Sequence, residues 1–311
     1  MVMDAFSRII RLGEGVGHTG VLSEAAMSRT IDALAICADK MHKRRVKRSR
    51  LVATEACRIT SNGAEFLERV RRNTGLTLEM LSHEDEAKLA VSGCAALLDD
   101  QSDLVLVFDI GGGSSELIWL DLANRPTSSD RSNGGRVEVQ NCITAWTSLP
   151  VGVVTLAERF GGREVSMHRF ETMVAHVLDL LAPFEAKGQF RERMRTRSAH
   201  LLGTSGTVTT VAGIHLGLPR YDRSRVDGCW MDVAQACAVT KSLLDRTYEE
   251  RVAEPCIGRD RADLVLAGCA ILEAVVRTWP CERLRVADRG LREGILASLM
   301  VEDGFERGTR N

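Results

Sequence analysis

The chain is missing the marks of several large protein classes. Across 311 residues no apolar run approaches the roughly eighteen residues that a membrane-crossing helix needs. Asp4, Arg8 and Arg11 fall where a signal peptide would be apolar, so the first residues read as ordinary chain and the expected location is the cytoplasm. The nine cysteines form no CxxC pair and the seven histidines no HExxH pair, which speaks against a zinc site and for free cysteines packed as small apolar groups in a reducing compartment. A formal net charge of -1 gives no bulk attraction for polyanions. The two basic runs, residues 42–50 (HKRRVKRSR) and 191–197 (RERMRTR), are short and poor in aromatics, so neither nucleic acid nor membrane is expected as a partner. No internal repeat is evident.

What is present is a soluble globular composition, 44% hydrophobic and 27% charged, long enough for two domains. The chain is organised around residues 104–120, LVLVFDIGGGSSELIWL. An apolar run over 104–108 reads as a buried strand, residues 117–120 as a second, and the tight turn between them holds Asp109, three glycines, two serines and Glu116. Gly111, Gly112 and Gly113 have no Cβ and can take positive φ, so their N–H groups could converge on one anion beside Ser114 and Ser115. Asp109 and Glu116 offer hard oxygen ligands that suit Mg²⁺ on phosphate oxygens. The bland alternative is a glycine hairpin with solvated acids.

Strand and helix signals alternate before this stretch, as in an α/β domain. Residues 6–12, 50–54 and 76–81 read as strands, and helices are expected after an N-cap at Ser23, over 65–72 and from His83. Arg58 follows a strand end, where it could clamp phosphate or pair with a nearby carboxylate. The segment HEDEAKLA, residues 83–90, opens its helix with acids that the helix dipole favours in any case. Beyond a polar loop over 124–135, residues 136–143 and 145–149 look like paired strands, and a long amphipathic helix covers 165–181. A short strand over 200–202 then runs into GTSGTVTTVAG, residues 203–213, a second glycine and hydroxyl turn opening a helix. Two such turns imply a phosphate-bearing ligand gripped from two sides. An apolar helix over 261–276, a strand over 284–287 and a closing helix from Gly290 complete the chain.

The strand with DIGGGSSE, the preceding DEAK helix, the ATEACR segment, the GTSGT turn and the closing RVADRGLREGIL together resemble the Ppx/GppA family of exopolyphosphatases and guanosine pentaphosphate phosphohydrolases. The resemblance covers essentially the whole chain from about Asp4. It implies a sugar kinase, Hsp70 and actin-like α/β fold of two ribonuclease-H-like domains, placed here at residues 1–90 and 91–311, with a phosphate ligand in the cleft between them and a homodimer as the assembly. By position, Glu86 matches the family's catalytic glutamate, the base for the attacking water, and Arg58 the arginine that faces phosphate. Asp109 and Glu116 match its metal-associated acids, with Mg²⁺ or Mn²⁺ as cofactor. Gly111, Gly112, Gly113 and Ser114 match its phosphate-holding turn, and Gly203, Thr204, Ser205, Gly206 and Thr207 the turn of the second domain.

The chain departs from the family pattern at Asp85, Lys88 and Ser115, which keep charge or hydroxyl, although lysine cannot make a bidentate fork. The family also begins with two further strands joined by a D-x-G-S-N-S turn, so the first domain is expected to be incomplete here, with a start placed too far downstream as the favoured cause. The activity expected is metal-dependent release of terminal phosphate from inorganic polyphosphate. Guanosine pentaphosphate is a second substrate, or the preferred one in the alternative. A catalytically impaired protein that senses polyphosphate or guanosine tetraphosphate is a further alternative, and a sugar or carboxylate kinase on the same fold is disfavoured.

Overall fold

The computed structural model describes residues 4–124 and 137–304. From residue 125 the polar loop expected over 124–135 lies outside the described residues. The chain divides into two compact units, residues 1–83 and 84–311. That division comes earlier than residue 90, because the helix His83–Cys94 buries Ala87, Val91 and Cys94 in the core of the second unit.

In the first unit a parallel pair, β1 (Val52–Ala53) and β2 (Glu79–Met80), is joined through the helix Gly63–Thr74. The helix Glu24–Lys43 starts where the sequence places it, its Ser23 hydroxyl accepting from the Ala26 N–H at 3.2 Å. Phe66, Val70, Leu22, Cys57 and Ala53 form the core. Residues 6–12, expected as a strand, are irregular and have no ladder partner among the described residues. Alternating apolar residues become a strand only where another strand completes their hydrogen bonds.

The second unit holds a six-stranded sheet of order β5-β4-β3-β6-β8-β7. Its strands are β3 (Leu104–Ile110), β4 (Ser115–Asp121), β5 (Ile143–Leu149), β6 (Ala199–Thr204), β7 (Trp230–Asp232) and β8 (Arg283–Ala287). β3, β4 and β5 form an antiparallel meander, β6 and β8 run parallel to β3, and β7 adds an antiparallel edge. A three-strand meander extended on its first strand by two parallel strands is the ribonuclease-H-like arrangement. Residues 136–143 were expected to pair with β5; instead Val137–Gln140 is a helical turn, and β5 pairs with β4.

Both faces of β3 are buried. Leu104, Leu106 and Phe108 face the larger core with the helices Met167–Gly188, Ser205–His215 and Val265–Thr278. Val105 and Val107 face the other way, onto the helix His83–Cys94. Side chains alternate along a strand, so Asp109 continues the Val105 and Val107 face, under the helix that carries Glu86.

The closing helix, Leu291–Glu302, crosses His83–Cys94 at close range. A Cβ on Gly93 would lie 1.9 Å from the Gly290 carbonyl oxygen, and one on Gly294 would lie 1.9 Å from that of Leu89. Only glycine permits this approach. Replacing Gly294 by alanine is expected to lower the stability of the chain by about 1–3 kcal/mol in urea unfolding, whereas Gly17→Ala, with open space around it, should change it by less than about 0.5 kcal/mol. Equal stability of the two variants would contradict the close crossing.

Candidate active site

Strand register assembles the site. Asp109 on β3 stands directly opposite Glu116 on β4, Glu116 opposite Ser148 on β5, and Asp109 opposite Thr204 on β6. Four polar residues thus form one row across the end of the sheet, where directly opposed Cβ atoms are about 4.5–5.5 Å apart. The row ends the apolar face made by Val105, Val107, Ile118, Leu120 and Leu202.

Glu116 is 6% exposed. Its Oε1 accepts from the Ser114 hydroxyl at 2.6 Å and from the Ser148 hydroxyl at 2.9 Å, bonds that fix its direction. Asp109 stands in a different electrostatic setting. Burial, then the Glu116 charge, then the Glu86 charge push its carboxyl up to about 7, and Arg292 alone pulls the other way. Glu86, half-buried in the first turn of its helix, is therefore part of the same electrostatic neighbourhood.

Among the described residues no group of three or more His, Cys, Asp or Glu side chains forms a ready-made metal cage. The opposed pair Asp109 and Glu116 fits a Mg²⁺ ion, which is commonly held by one or two carboxylates and completes its shell with waters and phosphate oxygens.

The first glycine turn owes its shape to close approach and not to left-handed backbone: neither Gly111 nor Gly112 takes positive φ. The Gly111 N–H donates to the Ser114 carbonyl at 2.9 Å, closing the turn. The carbonyls of Gly111 and Gly112 accept from the N–H groups of Val153 and Val154, each at 2.9 Å, at the start of the helix Val153–Phe160. No backbone carbonyl among the described residues accepts from Gly112, Gly113 or Ser114, so those N–H groups can serve a ligand. Gly152 makes this docking possible, since a Cβ there would lie 2.4 Å from the Gly112 carbonyl carbon. The sequence shows Gly152 only as a turn residue after Pro150.

The second turn joins β6 to the helix Ser205–His215 without an intervening loop. Ser205 takes up the bend with φ +87°, and its buried hydroxyl has no partner among the described residues. The first N–H groups of the helix, from Ser205, Gly206 and Thr207, lack intrahelical acceptors by position. Arg261 lies over this turn, its Cζ 3.4 Å from where a Gly206 Cβ would be. Gly203 and Thr207 are used for packing: the Phe108 ring fills the space of a Gly203 Cβ at 2.6 Å, and the Thr207 side chain fills that of Gly268. Because Asp109 and Thr204 are register partners, the two turns are neighbours on one sheet end.

Arg58 belongs to the first unit. Its guanidinium donates to the Leu81 carbonyl at 2.6 Å and to Glu55 at 2.8 Å, and lies 3.0 Å from His83 Nδ1. Carboxylate pairing, one of the two readings open in the sequence, is what the structure contains. Ser148, Gly152, Arg261 and Arg292 were not singled out in the sequence. Ser148 acquires a role only through the register of β5, and Arg261 only through the packing of its loop on Gly206.

The raised carboxyl of Asp109 has a consequence for stability. Protonation of the folded chain persists up to about pH 7, whereas in the unfolded chain the same group ionises near its ordinary value of about 3.9. Between those limits the folded state holds more protons, so in metal-free buffer this group's contribution to stability falls as pH rises through 4 to 7. Asp109→Asn is expected to be more stable than the parent chain at pH 8 and to lose most of that advantage at pH 4, as read by urea unfolding with chelator present. A constant difference between the two proteins across that range would contradict the assignment.

Known proteins supply the context for this geometry. The profile of the Ppx/GppA phosphatase family matches residues 2–303. Exopolyphosphatase 2 of Mycobacterium tuberculosis is 26% identical over 307 residues, covering 94% of this chain and 88% of that protein. The guanosine-5'-triphosphate,3'-diphosphate pyrophosphatase of Aeromonas hydrophila is 29% identical over 294 residues, covering 94% of this chain but 53% of that longer protein. Among solved structures, the Ppx/GppA family member of Aquifex aeolicus superposes with a TM-score of 0.72 at 28% identity, covering 96% of this chain and 89% of that one. With the profile match spanning nearly every described residue and the sheet, acids and glycine turns arranged as above, the chain belongs to the Ppx/GppA phosphatase family.

Proposed function

We infer that this chain is a phosphoanhydride hydrolase that releases terminal phosphate from inorganic polyphosphate, with Mg²⁺ or Mn²⁺ as cofactor. The observation that carries the reading is the row Ser148, Glu116, Asp109 and Thr204, with Glu86 close enough to raise the Asp109 carboxyl.

Phosphoryl transfer requires positioning and charge stabilisation more than covalent help. The N–H groups of Gly112, Gly113 and Ser114 and those at the start of the helix Ser205–His215 would hold the non-bridging oxygens of the terminal phosphate. Glu86 would accept a proton from the attacking water as its oxygen bonds to the terminal phosphorus. The bridging P–O bond breaks, and the shortened chain leaves with the electron pair. The hydroxyls of Ser114 and Ser148 would keep the Glu116 carboxylate aimed. Asp109 and Glu116 would hold the metal ion, whose charge would offset that of the phosphate. By the family resemblance Arg58 would face phosphate, and the enzyme would work as a cytoplasmic homodimer.

Guanosine pentaphosphate is the second reading, favoured by the Aeromonas hydrophila relative, whose name specifies a guanosine substrate. Competition separates the two. If polyphosphate is the substrate, long chains inhibit guanosine pentaphosphate hydrolysis more strongly than short ones at equal phosphate concentration.

Phosphate release from long-chain polyphosphate should require Mg²⁺ or Mn²⁺, stop on chelation and return on re-addition of metal. Glu86→Gln should lower kcat by about 10²–10⁴-fold, the usual contribution of a positioned general base, and leave the unfolding midpoint close to that of the parent. Undiminished release by Glu86→Gln would remove Glu86 from the mechanism. Failure of the parent chain to release phosphate from either substrate, with guanosine tetraphosphate still bound, would replace hydrolysis by sensing.

A further inference from the structure

Most cations near the acid row already have partners. Lys88 pairs with Glu84 at 2.6 Å, Arg289 with Asp227, and Arg223 with Glu293 at 2.8 Å. Arg261 reaches the Thr210 hydroxyl at 3.5 Å. Arg292 differs from all of these: it is exposed and makes no hydrogen bond or ion pair among the described residues. It also sits in the first turn of the helix Leu291–Glu302, where the helix dipole disfavours a cation. An arginine in that place, with no carboxylate hydrogen-bonded to it among the described residues, suits an anion that comes from outside.

Two contacts fix where Arg292 leaves the backbone. Ahead of it, the Thr204 hydroxyl donates to the Arg289 carbonyl at 2.9 Å and lies 3.3 Å from where a Gly290 Cβ would be, and Thr204 is the register partner of Asp109. Behind it, Gly294 rests on the Leu89 carbonyl, and Leu89 lies about one helical turn after Glu86. Arg292 therefore springs from between the sheet end that bears Asp109 and the helix that bears Glu86.

We propose that Arg292 is a substrate-binding residue of the acid row, its guanidinium forking onto the non-bridging oxygens of the terminal phosphate. The proposal rests on the hydrolase reading for its substrate. Its physical basis is that three carboxylates repel a polyanion, and a planar guanidinium matches phosphate with two parallel N–H donors. The phosphate would arrive beside the Gly112 to Ser114 N–H groups and meet Arg292 on the side of the closing helix.

The test is calorimetric titration of tripolyphosphate with Mg²⁺ into the full chain carrying Glu86→Gln, so that the ligand is not consumed, alone and combined with Arg292→Ala, Arg292→Gln or Arg292→Lys. Affinity is expected to fall about tenfold to a hundredfold for alanine and glutamine, the loss appropriate to a charge-assisted bond, with partial recovery for lysine and unchanged urea unfolding. In the Glu86-intact chain Arg292→Ala should raise KM for tripolyphosphate by a similar factor. Binding by Arg292→Gln within twofold of its parent would overturn the proposal. Loss of binding with Arg292 variants, in a chain that releases no phosphate when Glu86 is intact, would support Arg292 and sink the hydrolysis. Absence of tripolyphosphate binding by the parent would overturn both.

Discussion

Repulsion among Asp109, Glu116 and Glu86 is the constraint that the rest of the second unit answers. Brought together without help, three carboxylates would separate or protonate. The structure divides the burden among them. Two serine hydroxyls fix the Glu116 carboxylate in place, while Asp109, with no such donor among the described residues, is the group whose carboxyl burial and the two acids raise to about 7. Holding them in place is backbone: seven register pairs between β3 and β4 and the helix packed over Val105 and Val107 leave the carboxylates no route apart.

The two glycine turns show that one residue type can serve unlike ends. At Gly111 and Gly112 the requirement is contact, with backbone carbonyls docked onto the start of the helix Val153–Phe160 and Gly152 admitting them. At Gly203 it is room for the Phe108 ring, and the left-handed residue of that turn is Ser205, not a glycine. Positive φ, the first property one assigns to a glycine-rich turn, explains neither of them. In both, the absence of a Cβ lets main chain or ring come closer than a side chain would allow.

Asp109, Glu116 and Glu86 are legible in the sequence because each follows a local rule: an acid at the end of a buried strand, an acid after a glycine turn, an acid in the first turn of a helix. Their conjunction is not legible without the family resemblance, since it depends on the register of β3 with β4 and β6, a long-range property that no single strand encodes. Residues 6–12 and 136–143 fail for the same reason in reverse. Both carry apolar residues that suggest a strand, yet the first finds no ladder among the described residues, and β5, the partner expected for the second, pairs with β4. Ser148 and Arg292 look like surface residues until the fold gives Ser148 an acid to bind and leaves Arg292 with none.

The glycine crossing of Gly93 and Gly294 ties an early helix to a late one. Glu86 precedes Gly290 by about two hundred residues, so its helix has no closing partner until Gly290 and Gly294 leave the ribosome. β8, the strand on which the closing helix hangs, is equally late. A nascent chain of this protein therefore cannot finish packing the helix that bears Glu86 until the closing helix has emerged.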